Sequence, residues 1–403
     1  MKQPLEGIRV LECGMYHAGP GGTAILGDMG AEVIKIEPPG TGDPIRMSRR
    51  IGSISFEIGG NRNVFNEGAN RSKKSVTVDL RTKQGQEIIH RLAKHSDVFM
   101  SNMRQQAIKK MNITYPILRE LNPRIIYATV SAFGHKGPDK DKGGFDYQGQ
   151  ARSGFMYSMG EADTPPMVSQ FGIIDQATAI NMCQQVTTAL LMRERFGIGQ
   201  EIKISIMGTA MYLLYFNVLI AQMKQIEVPR HKRSSEHPLR NYYKCSDDRW
   251  LMMTLTPPER HWGPLCKAMD RLDLENDPRF DTDDKRLDRS EELVAIFDEI
   301  FATRPRDEWL NIFSKYDLFC CSVNSLMELK DDPQVIENDY LVDIDHPTLG
   351  GVKVPGYPAD FSESCIKTVR AAPDLGTHTD EVLKDIGGYS KEEIAQLREG
   401  GII

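Results

Sequence analysis

Ile8 to Glu37 reads IRVLECGMYHAGPGGTAILGDMGAEVIKIE, and the fold class turns on how it divides. Ile8–Cys13 reads as a strand. A Gly/Pro turn follows, then a short helix through Leu26, then a second strand at Glu32–Glu37. The alternation continues downstream. Ser75–Leu80 reads as a third strand, Gln84–His95 as an amphipathic helix and Asp97–Met100 as a fourth strand. Pro116–Leu121 reads as a short helix and Ile125–Val130 as a fifth strand. A long helix after Asp175 ends at Arg193–Arg195 with Gly197 beyond it, and Glu201–Ile206 is a further strand. Strands alternating with helices specify an α/β fold with a parallel sheet covered on both faces.

Gly19–Ala24 formally fits the dinucleotide pattern G-x-G-x-x-A, with Glu37 where a ribose-binding acid would sit. Gly14–Ala18 separate the strand from that glycine, and Pro20 occupies the loop, so the fit is poor. The better reading is a helix entrance whose free N–H groups hold an anion or line a pocket.

The pattern changes near Glu227. EVPRHKRSSEH, through His237, reads as a linker, Tyr242–Thr256 as a β-hairpin, and the acidic stretches to about Phe313 as helices. A helix closes the chain at Lys391–Glu399. The expected organisation is a large domain begun by residues 1–226, a linker and smaller α+β domain over 227–330, and a C-terminal return over 331–403 that completes the large domain.

A net charge of −6 over 403 residues disfavours a general nucleic-acid binder. MKQPLEGIRVLEC has neither an apolar core nor a cleavage site, so no signal peptide is expected. No window approaches the roughly 18 apolar residues of a membrane helix. The richest, Met207–Met223, reads as a buried or interface helix. Seven cysteines without a C-x-x-C pair suggest a reduced, cytoplasmic protein. Cys320–Cys321 reads as core, and the histidines lack ligand spacing, so no metal is expected.

Basic residues recur around strand ends. Arg71, Lys73 and Lys74 precede the third strand and Arg81 follows it; Lys109 and Lys110 follow the fourth; Lys136, Lys140 and Lys142 follow the fifth. Singly each is a solvated surface lysine or arginine. Together they suggest a multiply phosphorylated ligand, because open α/β sheets bind at strand carboxyl ends. Asp175 also has two readings. It is a preferred helix N-cap residue, and a carboxylate held there stays ionised, oriented, and close to N–H donors for an oxyanion.

These segments, taken in order, resemble the class III CoA-transferases, the family of formyl-CoA and carnitine CoA-transferases. The resemblance is carried by Leu5–Asp43, Asn70–Gly85, Leu121–Pro138, Gly144–Gly154, the Asp175 stretch and Ala372–Ile394, and it spans nearly the whole chain. It implies a Rossmann-like large domain, a smaller domain and an interlocked-ring homodimer, with acyl-CoA as substrate and no tightly bound cofactor. It places Asp175 as the nucleophile of aspartyl-anhydride and aspartyl-CoA intermediates. His17 and Ala18 would line the thioester channel, Val78 and Arg81 would lie by the adenine and phosphates, and Asn102 and Lys110 by the nucleotide end, with Arg71, Lys74 and Lys142 completing the CoA site. Asp146 matches an acidic position near the active site. Pro38–Pro39 stand where some members have CoA-binding basic residues, which puts the phosphate contacts on Arg46 or Arg71 instead. A sister branch, the α-methylacyl-CoA racemases, has a histidine where this chain has Phe145; phenylalanine moves no proton, so racemase ranks second. KGPDKDKGGFDY and ENDYLVDIDHPTLG most resemble transferases of amino-acid fermentation acting on 2-hydroxy acids.

Overall fold

Six parallel strands form the main sheet in the computed structural model, which describes residues 2–366 and 370–403. They are β1 (Arg9–Cys13), β2 (Glu32–Glu37), β3 (Lys73–Thr77), β4 (Val98–Ser101), β5 (Ile126–Ser131) and β6 (Glu201–Ser205). The helices that bear on the site are α1 (Pro20–Asp28), α2 (Lys83–Lys94), α3 (Asp146–Arg152), α4 (Ile173–Phe196), α5 (Ile206–Leu213), α6 (Tyr215–Lys224), α7 (Thr379–Asp385) and α8 (Lys391–Glu399).

The strand order is β6-β5-β4-β1-β2-β3. The chain works outward from β1 through β2 and β3, then returns to the other side of β1 as β4. Loops leaving β1 and β4 therefore diverge and open a crevice at the carboxyl ends. The strands alternate between two apolar layers. Leu11, Ile34, Ile36, Phe99 and Tyr127 pack with α2, α7 and α8. Val10, Val33, Val98, Met100 and Ile126 pack with α1 and α4. Burial on both faces explains why the strands read as nearly continuous apolar runs. The free edge of β3 is covered by the C-terminal segment: His378 N–H donates to Ser75 O at 3.0 Å, and Thr77 N–H to Thr379 Oγ1 at 3.0 Å.

Contacts group Met1–Tyr157, Val168–Ile226 and Glu337–Ile403 into one compact unit, and Ser158–Met167 with Glu227–Ile336 into another. The second holds an antiparallel sheet, β7 (Arg240–Lys244), β8 (Trp250–Thr254) and β9 (Cys320–Val323), over a core that includes Tyr243, Trp262, Phe297, Phe301 and Trp309.

Four expectations change. The third strand starts at Lys73, not Ser75, so Lys73 and Lys74 lie in the sheet; Lys73 is wholly buried because Glu12 receives its ammonium at 2.6 Å. Cys321 is exposed on an outer strand rather than core. The Met207–Met223 stretch is not one buried helix: α5 and α6 meet at a 77° bend, and Tyr212, Phe216 and Met223 are each at least three-quarters exposed. The start of α1 offers no free N–H groups, because Gly21 N–H donates to His17 O and those of Gly22 and Thr23 to Gly19 O. Its glycines serve packing instead. A Cβ on Gly22 would stand 2.7 Å from Ala179 O, so only glycine lets α1 lie this close to α4. Among the described residues no single helix is long and apolar enough to cross a membrane.

Candidate active site

A cleft of about 570 Å³ opens at the β1/β4 reversal. Met15, Tyr16 and Ala18 line it after β1, Asn102 and Met103 after β4, and Lys142 and Phe145 after β5; it reaches Asp175 on α4. Arg104, Lys109, Lys140, Lys142 and Lys203 outnumber its acids Asp141, Asp175 and Glu201, so an anionic ligand is favoured along its length. Gly143 lets the loop after β5 approach Arg104, whose guanidinium would lie 2.4 Å from a Cβ there.

The loop after β1 is tied down from two sides. Asn102 Oδ1 accepts from Met15 N–H at 2.8 Å, and its Nδ2 donates to Met15 O at 2.6 Å. Beneath the loop lies a buried ionic cluster. Lys35 Nζ donates to Glu12 at 2.8 Å, to Asp43 at 2.7 Å and to Gly14 O at 3.2 Å. Lys73 Nζ donates to Glu12 at 2.6 Å and to Pro20 O at 2.8 Å. Asp43 Oδ1 in turn accepts from Tyr16 N–H at 3.1 Å. That contact holds Tyr16 at a φ of 59°, a left-handed conformation rarely taken outside glycine. Two lysines thus face two carboxylates, although burial lowers the Lys73 pKa to about 7 against the pull of Glu12. Burial alone would raise the Glu12 pKa, but Lys35 and Lys73 hold it below the usual carboxylate value.

The second cluster is different. Helix α4 begins at Ile173, with Gly172 at its N-cap, so Asp175 is a first-turn residue and not the cap. Asp146 does the capping from a distance: its Oδ2 accepts from the N–H groups of Ile174 at 2.7 Å and Asp175 at 2.9 Å, and Gln150 Nε2 donates to its Oδ1. These N–H groups, and Gln176 N–H on Gly172 O, are thereby committed and do not serve an oxyanion. Asp175 Oδ1 is buried without a hydrogen-bond partner. Burial first, then the nearby Asp146 charge, push the Asp175 pKa up to about 7, so the helix start does not simply keep it ionised.

The residues singled out from the sequence fall into three groups. Ala18, Asn102, Lys142, Phe145 and Asp175 line the cleft, and Asp146 backs Asp175. His17 turns its ring onto α4, with Nε2 2.6 Å from Gln176 Oε1, and burial lowers its pKa. The others are not brought to the cleft. Arg71 pairs with Asp28 at 2.8 Å, and Lys74 with Glu32 and Glu381 at the amino end of the sheet. Val78 is core, Arg81 pairs with Asp79 on the surface, and Lys109 rather than Lys110 reaches the cleft. Arg46 is held by Glu37 and Pro373 O. Tyr16, Arg104 and Lys203 escaped sequence reading; alternation along EIKIS was the available signal for Lys203.

The chain matches the pattern of CoA-transferase family III over residues 5–379. It belongs to that family. The chain is thus a CoA-transferase, of a family for which acyl-CoA is substrate. It is 33% identical over 400 residues to (R)-2-hydroxy-4-methylpentanoate CoA-transferase of Clostridioides difficile, covering 99% of each chain. It is 30% identical to cinnamoyl-CoA:phenyllactate CoA-transferase of Clostridium sporogenes, covering 98% of this chain and 96% of that one. A crystal structure of a CAIB/BAIF family protein from Brucella suis superposes with a TM-score of 0.86 at 27% identity, covering 96% of this chain and all of the other.

Proposed function

We propose that this family III transferase moves CoA from an acyl-CoA to a carboxylic acid through Asp175, the acid being a 2-hydroxy acid or another medium-sized organic acid. The observation that carries the mechanism is the buried, unpartnered Oδ1 of Asp175 at the cleft, on a carboxyl whose pKa is raised by burial and then by Asp146. The relatives named above, acting on hydroxy acids, support the acceptor class.

The carboxylate attacks the thioester carbonyl and the C–S bond breaks, giving an acyl-aspartyl anhydride and CoA thiolate. The thiolate attacks the aspartyl carbonyl and releases the donor acid, leaving an aspartyl-CoA thioester. The acceptor carboxylate attacks that thioester, and the returning thiolate takes the new acyl group. Each covalent form of Asp175 is uncharged and relieves its repulsion with Asp146, so the geometry favours the intermediates over the free carboxylate. The cationic lining would hold the CoA phosphates, with Lys109, Lys140 and Lys142 joining Ala18 and Asn102. A two-base racemase needs a second free titratable group. Asp146 has both oxygens committed, and Phe145 cannot serve.

The proposal includes a homodimer in the reducing cytoplasm. The apolar surface of α5 and α6 supports association, and seven unpaired cysteines suit that compartment. Incubation with acyl-CoA followed by hydroxylamine and peptide mass spectrometry tests the mechanism. Modification at Asp175 is expected. An unmodified Asp175 in an enzyme that turns over refutes it.

A further inference from the structure

Tyr16 and Phe145 come from separate loops and meet edge to face, with ring centroids 5.4 Å apart and planes at 88°. Both line the cleft that reaches Asp175, and both are exposed, Phe145 by 56%. An aromatic ring held open to solvent forgoes the stabilisation that burial would bring, which suits a ring that a ligand covers. Neither ring is on a loose support. Tyr16 N–H is fixed by Asp43, itself anchored by Lys35. Phe145 N–H is fixed by Gln148 Oε1 at 2.9 Å, and the next residue, Asp146, grips Asp175 N–H. The ring therefore sits one residue from the anchor of the proposed nucleophile.

We infer that the Tyr16–Phe145 pair is the specificity-determining wall of the acyl site, selecting acids with a branched-aliphatic or aryl body over short dicarboxylic acids. The assignment rests on the transferase reading of the same cleft. An apolar acyl body covers the two rings and gains the area they now expose. A second carboxylate gains nothing from the rings, because it would give up its water against them without adding apolar contact.

The test measures kcat/KM with acetyl-CoA as donor and isocaproate, hydrocinnamate or glutarate as acceptor. The wild type is expected to prefer the two apolar acids. Phe145→Ala lowers kcat/KM for both by about 10- to 100-fold, the scale of one large apolar contact, and changes glutarate by less than about threefold. Tyr16→Ala behaves alike, whereas Tyr16→Phe, which keeps the ring, retains the preference. Unchanged melting temperatures show that the variants fold. Equal losses for all three acids, or an apolar preference that survives both alanine variants, overturn the assignment while leaving the transferase intact. A wild type that prefers glutarate overturns it as well. Failure of the transferase reading is separately visible as an Asp175 that acyl-CoA never modifies, with CoA passed to none of the acids.

Discussion

The protein buries two groups of charges within the same half of the chain, and it treats them in opposite ways. In Glu12–Lys35–Asp43–Lys73 every carboxylate meets an ammonium, and the result is a brace under the loop that carries Tyr16. At Asp146–Asp175 two acids share one helix start with no ammonium, and burial first, then the Asp146 charge, bring the Asp175 carboxyl to a pKa of about 7. Paired buried charge fixes a backbone; unpaired buried charge stores reactivity. The brace and the nucleophile bound the same cleft, so one sets the geometry in which the other works.

Neutralising each group in turn should separate these roles. Asp175→Asn keeps the volume and removes the nucleophile. The rate of CoA transfer is expected to fall on the order of 10⁴-fold or more in a steady-state assay. The same variant should gain stability relative to wild type as pH rises. A folded pKa of about 7 lies above the unfolded carboxyl value, so the folded wild type binds the extra proton between the two, and its stability falls from about pH 4 to about pH 7. Urea unfolding across that window checks the sign.

Lys35→Met should do the reverse at the brace. It leaves Asp43 and Glu12 short of a cation and costs about 3–5 kcal/mol in urea unfolding. A neutral outcome there would mean the cluster is not the brace described.

Asp146→Asn sharpens the comparison further, since its amide oxygen still accepts from Ile174 and Asp175 while the charge is gone. The Asp175 pKa then drops. The acid limb of the pH–rate profile should move to lower pH, and kcat on the alkaline plateau should fall a few-fold as the nucleophile becomes less basic. The smallest effect belongs to Lys142, exposed and already paired with Asp139 at 2.7 Å. Lys142→Ala should raise the KM for acyl-CoA about two- to fivefold, less at high salt, with kcat unchanged in initial-rate measurements.

Much of the fold was legible because parallel strands and their covering helices write their periods into local sequence. Glu32–Glu37 and Lys391–Glu399 fall where they were expected to the residue. What escaped was set by long-range partners. A lysine beside a strand looks the same whether it meets solvent or Glu12, so Arg71, Lys73 and Lys74 read alike, singly as solvated residues and together as part of a ligand-binding rim. Asp175 stood out locally, yet its environment depends on Asp146, nearly thirty residues away and on another helix. The glycines that open α1 suggested an anion site; helix–helix contact of Gly21 and Gly22 with Ala179 and Met182 explains them instead.

The central claim is that Asp175 carries the transferred group covalently. An acceptor acid labelled with oxygen-18 in its carboxylate, turned over with unlabelled acyl-CoA, decides it. Attack of the labelled acid on the aspartyl thioester and departure of the new acyl group leave one acid oxygen on the enzyme. Oxygen-18 in the peptide bearing Asp175, and its absence there without acyl-CoA, is the predicted result. Turnover with no oxygen-18 in that carboxylate would contradict the mechanism.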